Sequence, residues 1–409
     1  MDVHVDWTAD STMLPELLVE LASALVFFLV LRRRPVTLAL AALAVATGAG
    51  YASSRFVHSG TTITGKEHMR ALVFAPGEGD GPYAFPHGIF IDERHPVPSH
   101  TDRSLLIQTK AAALNPLNYK IIPARWPFVR HVRRWTVGYD AAGVVLSVGE
   151  HPSCSHVQVG DAVFGLAPLG SIGEYTMLPC AVAAKKPTTL SFDEAAGLNV
   201  AALTSLYALI DRAKVKKGDR VLVIGAAGGC GSFGVKLAKL LGAEVTAVAS
   251  AANHALVREI GASHVVDYKD DKEMAALKGG RQYDVVYDTV SSFEDAMNWV
   301  PIATPLVKEG GLYVAINGQH SEWTWALLDV LARPLGLSAQ RAGYHHVGLL
   351  VPHRAGMQQL AEWYESGELS GGVPIDSTFV LTSNASAWSA MARQKSRRAV
   401  GKIVVKFPD

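Results

Sequence analysis

Cysteine is scarce in this chain, with three residues among 409: Cys154, Cys180 and Cys230. They lie far apart and none stands at C-x-x-C spacing, so the sequence predicts neither a disulfide framework nor a zinc cluster. A charge excess is missing too. The 38 lysines and arginines face 37 aspartates and glutamates, for a formal net charge of +1, and no global basic bias argues for nucleic acid as a partner. Fifteen histidines are present, but His345-His346 lacks partners at ligand spacing, and no metal is expected.

Long apolar runs, in contrast, are present at the N-terminus. Leu14 to Leu31 is one, Arg32 to Arg34 interrupts, and a second, alanine-rich run extends to Tyr51. Each would be a helix of roughly 27 Å, marginal for a hydrocarbon core of ~30 Å. A membrane anchor, as a hairpin or a single span, is the leading reading, with membrane lipid as its partner. A cleaved signal sequence ending near Ala44-Val45-Ala46, or a soluble helical pair packed on the body, are the alternatives. Residues 1–31 carry Asp2, Asp6, Asp10, Glu16 and Glu20 but no lysine or arginine, which disfavours a mitochondrial presequence.

The rest of the chain, long enough for two or three domains at ~150 residues each, changes character near residue 220. Val221 to Ile224 suits a buried parallel strand. The turn Ala226-Ala227-Gly228-Gly229-Cys230-Gly231 follows, then a helix with Val235, Leu237, Ala238, Leu240 and Leu241 on its apolar face, then a second strand over Glu244–Ala249. Further apolar runs at His264–Val266, Asp284–Tyr287 and Leu312–Ile316 complete the pattern of a doubly wound parallel sheet. Glycines in such a turn let the backbone approach a pyrophosphate at the positive end of the helix, so Ala227, Gly228, Gly229, Cys230 and Gly231 are assigned to a dinucleotide.

The end of the second strand selects which dinucleotide. An NAD site usually places a carboxylate there for the ribose 2′-hydroxyl; here Ser250, Ala251, Ala252 and Asn253 follow. Ser250 and Asn253 can donate hydrogen bonds to a 2′-phosphate without charge repulsion, and Tyr268 adds a hydroxyl, so NADPH is the expected cofactor. The alternative is that Ser250 only caps the next helix. Asn317, just past the Leu312–Ile316 run, is counted with the cofactor-binding set.

Short strands separated by glycine turns flank this unit: Met69–Phe74, Leu105–Lys120, Thr136–Gly149, Val159–Leu166, Gly173–Pro179 and Gly401–Phe407. They suggest a small β-barrel. Residues 75–104 read as a long loop of no assignable role. The basic, aromatic span from Pro123 to Trp135 is either a contact for anionic lipid or a complex partner, or a solvated loop.

With these segments in view, the chain resembles the medium-chain dehydrogenase/reductase superfamily in its zinc-independent quinone oxidoreductase branch, from about Met69 to Phe407. Asn115-Pro116, the G-x-D-x-x-G of Gly138, Asp140 and Gly143, VGDAVFG, EYTMLP, AAGGCG and the HVVDY run ending at Tyr268 carry the resemblance. Within the branch, Ser250 to Tyr268 is similar to the reticulon-interacting mitochondrial NADPH oxidoreductases. The resemblance implies an α/β architecture: a GroES-like β-barrel catalytic domain interrupted by a Rossmann doubly wound sheet and preceded here by membrane helices. The division expected is 1–65 anchor and linker, 66–197 GroES-like domain, 198–366 Rossmann domain and 367–409 the remainder of the GroES-like domain. It further implies NADPH, a quinone-like acceptor, a mitochondrial or other organelle membrane, and a homodimer or membrane-complex subunit.

For individual residues, the resemblance implies that Asn115 faces the nicotinamide and acceptor and that Lys402 serves the cofactor. Zinc-dependent relatives carry Gly-His-Glu where this chain has Gly138-Tyr139-Asp140, so a phenol replaces the imidazole ligand; Tyr139 is a proton donor or a packing residue. The chain departs from the family at Asn118, where aspartate is usual, at Lys120, often a tyrosine, and at Val400, usually arginine. The function expected is hydride transfer from NADPH to a quinone or related activated carbonyl. A redox-inactive, NADPH-binding subunit of a respiratory or ubiquinone-biosynthesis complex is the alternative.

Overall fold

The computed structural model describes residues 56–58, 63–75, 88–120, 135–168, 170–291, 298–316, 344–346 and 354–408. The apolar runs between residues 14 and 51, most of the basic span 123–135, and Asn317 lie outside the described residues. Among the described residues no helix is long and apolar enough to cross a membrane. Two compact units are present, one formed by Ser54–Leu203 with Pro352–Asp409 and one containing Thr204–Val351.

The first unit opens with β1 (Phe56–His58), β2 (His68–Phe74), β3 (Ile89–Pro96), β4 (His100–Thr101) and β5 (Ser104–Leu114). Helix α1 (Pro116–Lys120), β6 (Trp135–Thr136), β7 (Asp140–Val148), β8 (Ala162–Leu166), β9 (Tyr175–Pro179), β10 (Ala183–Lys185) and helix α2 (Phe192–Leu206) follow. The second unit carries β11 (Arg220–Ile224), α3 (Gly229–Leu240), β12 (Glu244–Ala249), α4 (His254–Glu259), β13 (His264–Asp267) and α5 (Asp271–Lys278). It continues with β14 (Tyr283–Asp288), α6 (Val300–Ala303), β15 (Val307–Ala315) and β16 (Tyr344–His346). Helix α7 (Arg354–Ser366), β17 (Ile375–Val380), α8 (Asn384–Lys395) and β18 (Lys402–Lys406) return to the first unit.

In the first unit β5 is the central strand of a seven-stranded sheet ordered β10-β8-β7-β5-β18-β17, with β9 also on β5. Its two halves have different neighbours on one side: Ser104–Gln108 pairs with β9, and Ala112–Leu114 pairs with β18. Alternating faces of this strand feed two cores. Leu105 and Ile107 pack with Val145, Val163 and Leu178, while Ala112 and Leu114 pack with Leu72, Phe74, Ile172, Ile403 and Met391. The second unit is an all-parallel six-stranded sheet, ordered β13-β12-β11-β14-β15-β16. Its central strand β11 is fully buried from Val221 to Ile224, which is why it reads as an unbroken apolar run rather than an alternating one.

Three expectations need correction. Cys154 and Cys180 form a disulfide, with Cα atoms 5.1 Å apart. Sequence spacing gave no sign of it because topology makes the pair: β9 leads Cys180 back to the turn at Cys154, and both side chains are buried beside Leu105 and Leu178. Residues 75–104 are not one loop, since β3 pairs antiparallel with β2, and β4 with β1. β3 is an edge strand of a three-stranded sheet, and its charged second half, Asp92-Glu93-Arg94-His95, hid its strand character. Helix α7, read as part of the Rossmann domain, belongs to the first unit. It packs on β10, and its Glu365 carboxylate accepts hydrogen bonds from the Thr188 backbone N–H and hydroxyl.

Candidate active site

The glycine turn joins β11 to α3. Gly225, directly after the strand, has φ +75°, and a Cβ there would meet Val290 Cγ2 at 2.5 Å and Thr289 Oγ1 at 2.7 Å. Gly231 is equally constrained: a Cβ would lie 2.1 Å from the Gly225 carbonyl oxygen. Gly234, a turn further on, has the Tyr287 ring 2.7 Å from its Cβ position. Gly231 and Gly234 therefore serve close packing of the helix on the turn and sheet, and Gly225 serves the turn itself. Gly228 differs. A Cβ there would meet only the Gly225 oxygen at 3.4 Å, so the space over this residue is open. Gly228 is also the N-cap of α3 and gives the helix no side-chain cap, leaving first-turn N–H groups without the usual side-chain acceptor. Ala227 is buried, and Gly229 and Cys230 are half-buried in the same turn.

At the end of β12, Ser250 is N-cap to a short 3-10 turn, Ala251–Asn253, but its side chain makes no capping bond. Its Oγ instead accepts a hydrogen bond from Asn253 Nδ2 at 3.2 Å. The structure thus brings these two assigned residues together, and among the described residues the Ser250 hydroxyl donates to no backbone carbonyl. Tyr268 follows β13 and is 38 % exposed, with Lys269 Nζ 5.7 Å from its ring centroid. No carboxylate interrupts Ser250 to Asn253. The open turn and this polar, uncharged strand end fit the phosphates of a dinucleotide.

The barrel unit assembles a second constellation at one end of its sheet. Register pairs Ala113 of β5 with Asp140 of β7 and Leu114 with Ile403 of β18. The residues next to these pairs, Asn115 and Lys402, therefore converge on Asp140. Lys402 Nζ donates to Asn115 Oδ1 at 2.6 Å, to the Leu114 carbonyl at 3.1 Å and to Asp140 Oδ2 at 3.2 Å. Asn115 Nδ2 donates to Asp140 Oδ2 at 2.8 Å, and the Val200 N–H donates to Asp140 Oδ1 at 3.1 Å. Asp140 is wholly buried, Asn115 3 % exposed and Lys402 4 %. Burial raises the Asp140 pKa, opposed by the Lys402 charge and by its hydrogen bonds. The three N–H groups of Lys402 are all engaged, so this lysine supports Asn115 from inside the barrel unit.

The backbone of Asn115 is fixed as well. Its N–H donates to Asn118 Oδ1 at 2.6 Å, and the Asn118 N–H donates to the Asn115 carbonyl at 2.9 Å. Pro116 opens α1, where its missing N–H costs nothing. Asparagine at 118 offers the same acceptor oxygen that aspartate would, so that departure from the family pattern leaves the turn intact. The two glycines of G-x-D-x-x-G are explained by contact: a Cβ at Gly138 would lie 2.2 Å from Ser171 Oγ, and one at Gly143 2.1 Å from the Gln108 carbonyl. Tyr139 is half-buried, and burial pushes its phenol pKa up to about 12, so at neutral pH it is a neutral hydroxyl able to donate a hydrogen bond.

The assignment from sequence did not include Gly225 or the acid Asp140. A glycine directly after a strand was the available signal for the first, and the aspartate of the G-x-D motif for the second.

A family profile described as "Alcohol dehydrogenase GroES-like domain" matches residues 101–191, and one described as "Zinc-binding dehydrogenase" matches 260–405. The residues do not fit the zinc of that description: among the described residues no group of three or more His, Cys, Asp or Glu is arranged to hold a metal. The chain is 30% identical over 332 residues to the chloroplast envelope quinone oxidoreductase homolog of Arabidopsis thaliana, covering 76% of this chain and 92% of that one. It is 30% identical over 321 residues to the NADPH-dependent alkenal/one oxidoreductase, chloroplastic, of the same plant, covering 76% and 73%. Both relatives are chloroplast proteins by name, and neither shares the mitochondrial address implied by the resemblance. Among solved structures, the quinone oxidoreductase from Coxiella burnetii superposes with a TM-score of 0.66 at 26% identity, covering 83% of this chain and 99% of that chain. The chain belongs to the medium-chain dehydrogenase/reductase superfamily, a family of nicotinamide-dependent oxidoreductases, in its quinone oxidoreductase branch.

Proposed function

We propose that the protein is a membrane-tethered, NADPH-dependent reductase of quinones or related activated carbonyl compounds. The observation that carries the cofactor is the carboxylate-free end of β12, where Ser250 and Asn253 hydrogen-bond to each other in the same sheet as the open turn at Gly228. The Gly228–Gly231 turn would hold the pyrophosphate, and Ser250 and Asn253 the 2′-phosphate, with Tyr268 beside them. When bound, NADPH supplies hydride.

In the barrel unit, Asn115 presents an amide whose position is fixed at both ends, and Tyr139 presents a neutral phenol. Quinones and enones suit such a site. The negative charge they acquire is delocalised, and hydrogen-bond donors with a proton source are enough to stabilise it. Sequence departures at Lys120 and Val400 bear on turnover speed more than on cofactor binding.

The test is NADPH oxidation by full-length protein purified in detergent, against a panel of quinones and enones. Oxidation that saturates with quinone supports the reading; NADPH binding without turnover on any acceptor would favour the accessory-subunit alternative. For the tether, the apolar runs of residues 14–51 carry the proposal. Because β1 begins at Phe56, a truncation removing residues 1–53 spares every described strand. It should release NADPH-binding protein into the soluble fraction and abolish turnover of a long-tailed quinone in liposomes, while sparing a short one. Retention of the truncated protein on membranes through carbonate extraction would refute the tether.

A further inference from the structure

Among the described residues, the polar network around Asp140 leaves one N–H of Asn115 without an acceptor. Lys402 has three N–H groups and three acceptors. Asp140 accepts at both oxygens. The backbone N–H of Asn115 is taken by Asn118. The Asn115 carboxamide has two N–H groups, and only the one donated to Asp140 has a partner among the described residues.

An asparagine amide fits its space in two orientations that exchange Oδ1 and Nδ2. Here electrostatics selects one. The flipped amide would set Nδ2–H against the Lys402 ammonium and Oδ1 against the Asp140 carboxylate, replacing two charge-assisted hydrogen bonds by two repulsions. The pair sits where solvent cannot screen it, since Lys402 is 4 % exposed and Asp140 wholly buried.

We propose that Asp140 and Lys402 are positioning residues that lock the Asn115 amide in one orientation, so that it offers an N–H, never a carbonyl, to the oxygen of the hydride acceptor. This rests on the reading of the barrel unit as the acceptor side of a reductase. It specifies the acceptor chemistry further: a carbonyl-type oxygen meets Asn115, and an acceptor group that can only donate hydrogen bonds is excluded there. No proton is transferred by the pair. The N–H stabilises the oxyanion that forms as hydride arrives, and a proton from solvent or from Tyr139 completes the reduced product.

Three variants test it: Asn115→Ala, the charge-neutral double variant Asp140→Asn with Lys402→Met, and the triple combination. For a short water-soluble quinone, kcat of the double variant should fall roughly 10- to 100-fold through misplacement of the amide. Its Kd for NADPH should stay within about twofold of wild type, because the locked N–H is assigned to the acceptor and not to the cofactor. The triple variant should be no slower than Asn115→Ala, since residues that act through one group are not additive with its removal. A merely structural role would predict a further loss on the Asn115→Ala background, and that result would overturn the proposal. So would a double variant with wild-type kcat, or one that loses NADPH affinity in step with kcat.

Where the double variant fails to fold, Asn115→Asp takes its place. It is isosteric, keeps an oxygen toward Lys402 and has no N–H to spare, so kcat at or below that of Asn115→Ala is expected and near-wild-type kcat refutes the idea. One readout needs no turnover and separates this proposal from the functional reading. In protein labelled with 15N-asparagine, the side-chain NH2 of Asn115, assigned by its loss in Asn115→Ala, should give two well-separated proton signals. Their separation should shrink in the double variant toward that of a solvated asparagine; an unchanged separation would refute the lock even if the wild type reduced no quinone.

Discussion

Adding one methyl group at two positions of the glycine turn should separate the fold from the ligand. At Gly231 the new Cβ would sit 2.1 Å from the Gly225 oxygen, 2.7 Å from the Gly225 carbonyl carbon and 2.8 Å from Ala226 Cα. All three are backbone atoms, so no side chain can swing aside and the turn itself must move, at a cost of about 1–3 kcal/mol or more. At Gly228 the nearest atom is the Gly225 oxygen at 3.4 Å, an ordinary contact, and φ is −79°. Gly228→Ala should therefore leave the free protein as stable as wild type or firmer by about 0.4–1 kcal/mol through the unfolded chain. The same methyl group fills the space over the turn where a phosphate must approach. Melting each variant with and without NADPH reads both effects. Wild type at 100 times Kd should gain about 2.7 kcal/mol, roughly 5–10 °C for a domain of this size. Gly228→Ala should melt with wild type when free and lose most of that gain; Gly231→Ala should melt several degrees lower when free. An undiminished NADPH shift in Gly228→Ala would refute the turn as a phosphate cradle. An unchanged melting point in Gly231→Ala would refute the contact argument.

Ser250→Asp should reverse a cofactor preference of at least ~10-fold for NADPH over NADH, because about 1.4 kcal/mol of charged hydrogen bonding becomes repulsion; equal Kd values for the two cofactors in wild type, by titration calorimetry, would count against the assignment. The Cys154–Cys180 bond closes a loop with a sequence separation of 26, so replacing both cysteines by alanine should cost about 3 kcal/mol, read as a lower melting point insensitive to added reductant. Asp376 is held below the usual carboxylate range: burial raises its pKa, but Arg393, the Val400 N–H and the Ser377 hydroxyl together outweigh that. A depressed folded pKa stabilises above the unfolded value near ~3.9 and is lost as pH falls below it, so Asp376→Asn should lower the melting point at pH 7 and converge with wild type in acid. Parallel curves at all pH values would show that Asp376 acts through shape alone.

The second unit was legible because its physics is local. A strand buried on both faces is a continuous apolar run, and Val221 to Ile224 is wholly buried; a helix must follow to cover it, and Val235, Leu237 and Ala238 do so. The turn between them was legible as the glycine-rich run Ala226 to Gly231, but the residue held at positive φ is Gly225, directly after the strand. The barrel unit was harder. β3 carries a charged half because it lies at a sheet edge, and alternation fails where one face meets water. The disulfide was not legible at all, since two cysteines 26 positions apart meet only after β9 has folded back along β5.

The candidate site shows the same division between residue and role. Asn115 and Asp140 stood in quoted motifs and Lys402 in the last strand, yet Asn115 and Lys402 are separated by 287 positions, and nothing in the sequence says that they share one network. The resemblance implies that Lys402 serves the cofactor, and in the structure its ammonium donates to Asn115, Asp140 and a backbone carbonyl. A buried ion pair is a weak source of stability, because desolvating both ions offsets most of their attraction, and a well-packed apolar pair often does as well. What an apolar pair cannot do is tell one end of an amide from the other. The cost of burying Asp140 and Lys402 is therefore accounted for by the orientation they impose on Asn115, and the two ions should be replaceable without unfolding the protein but not without slowing it.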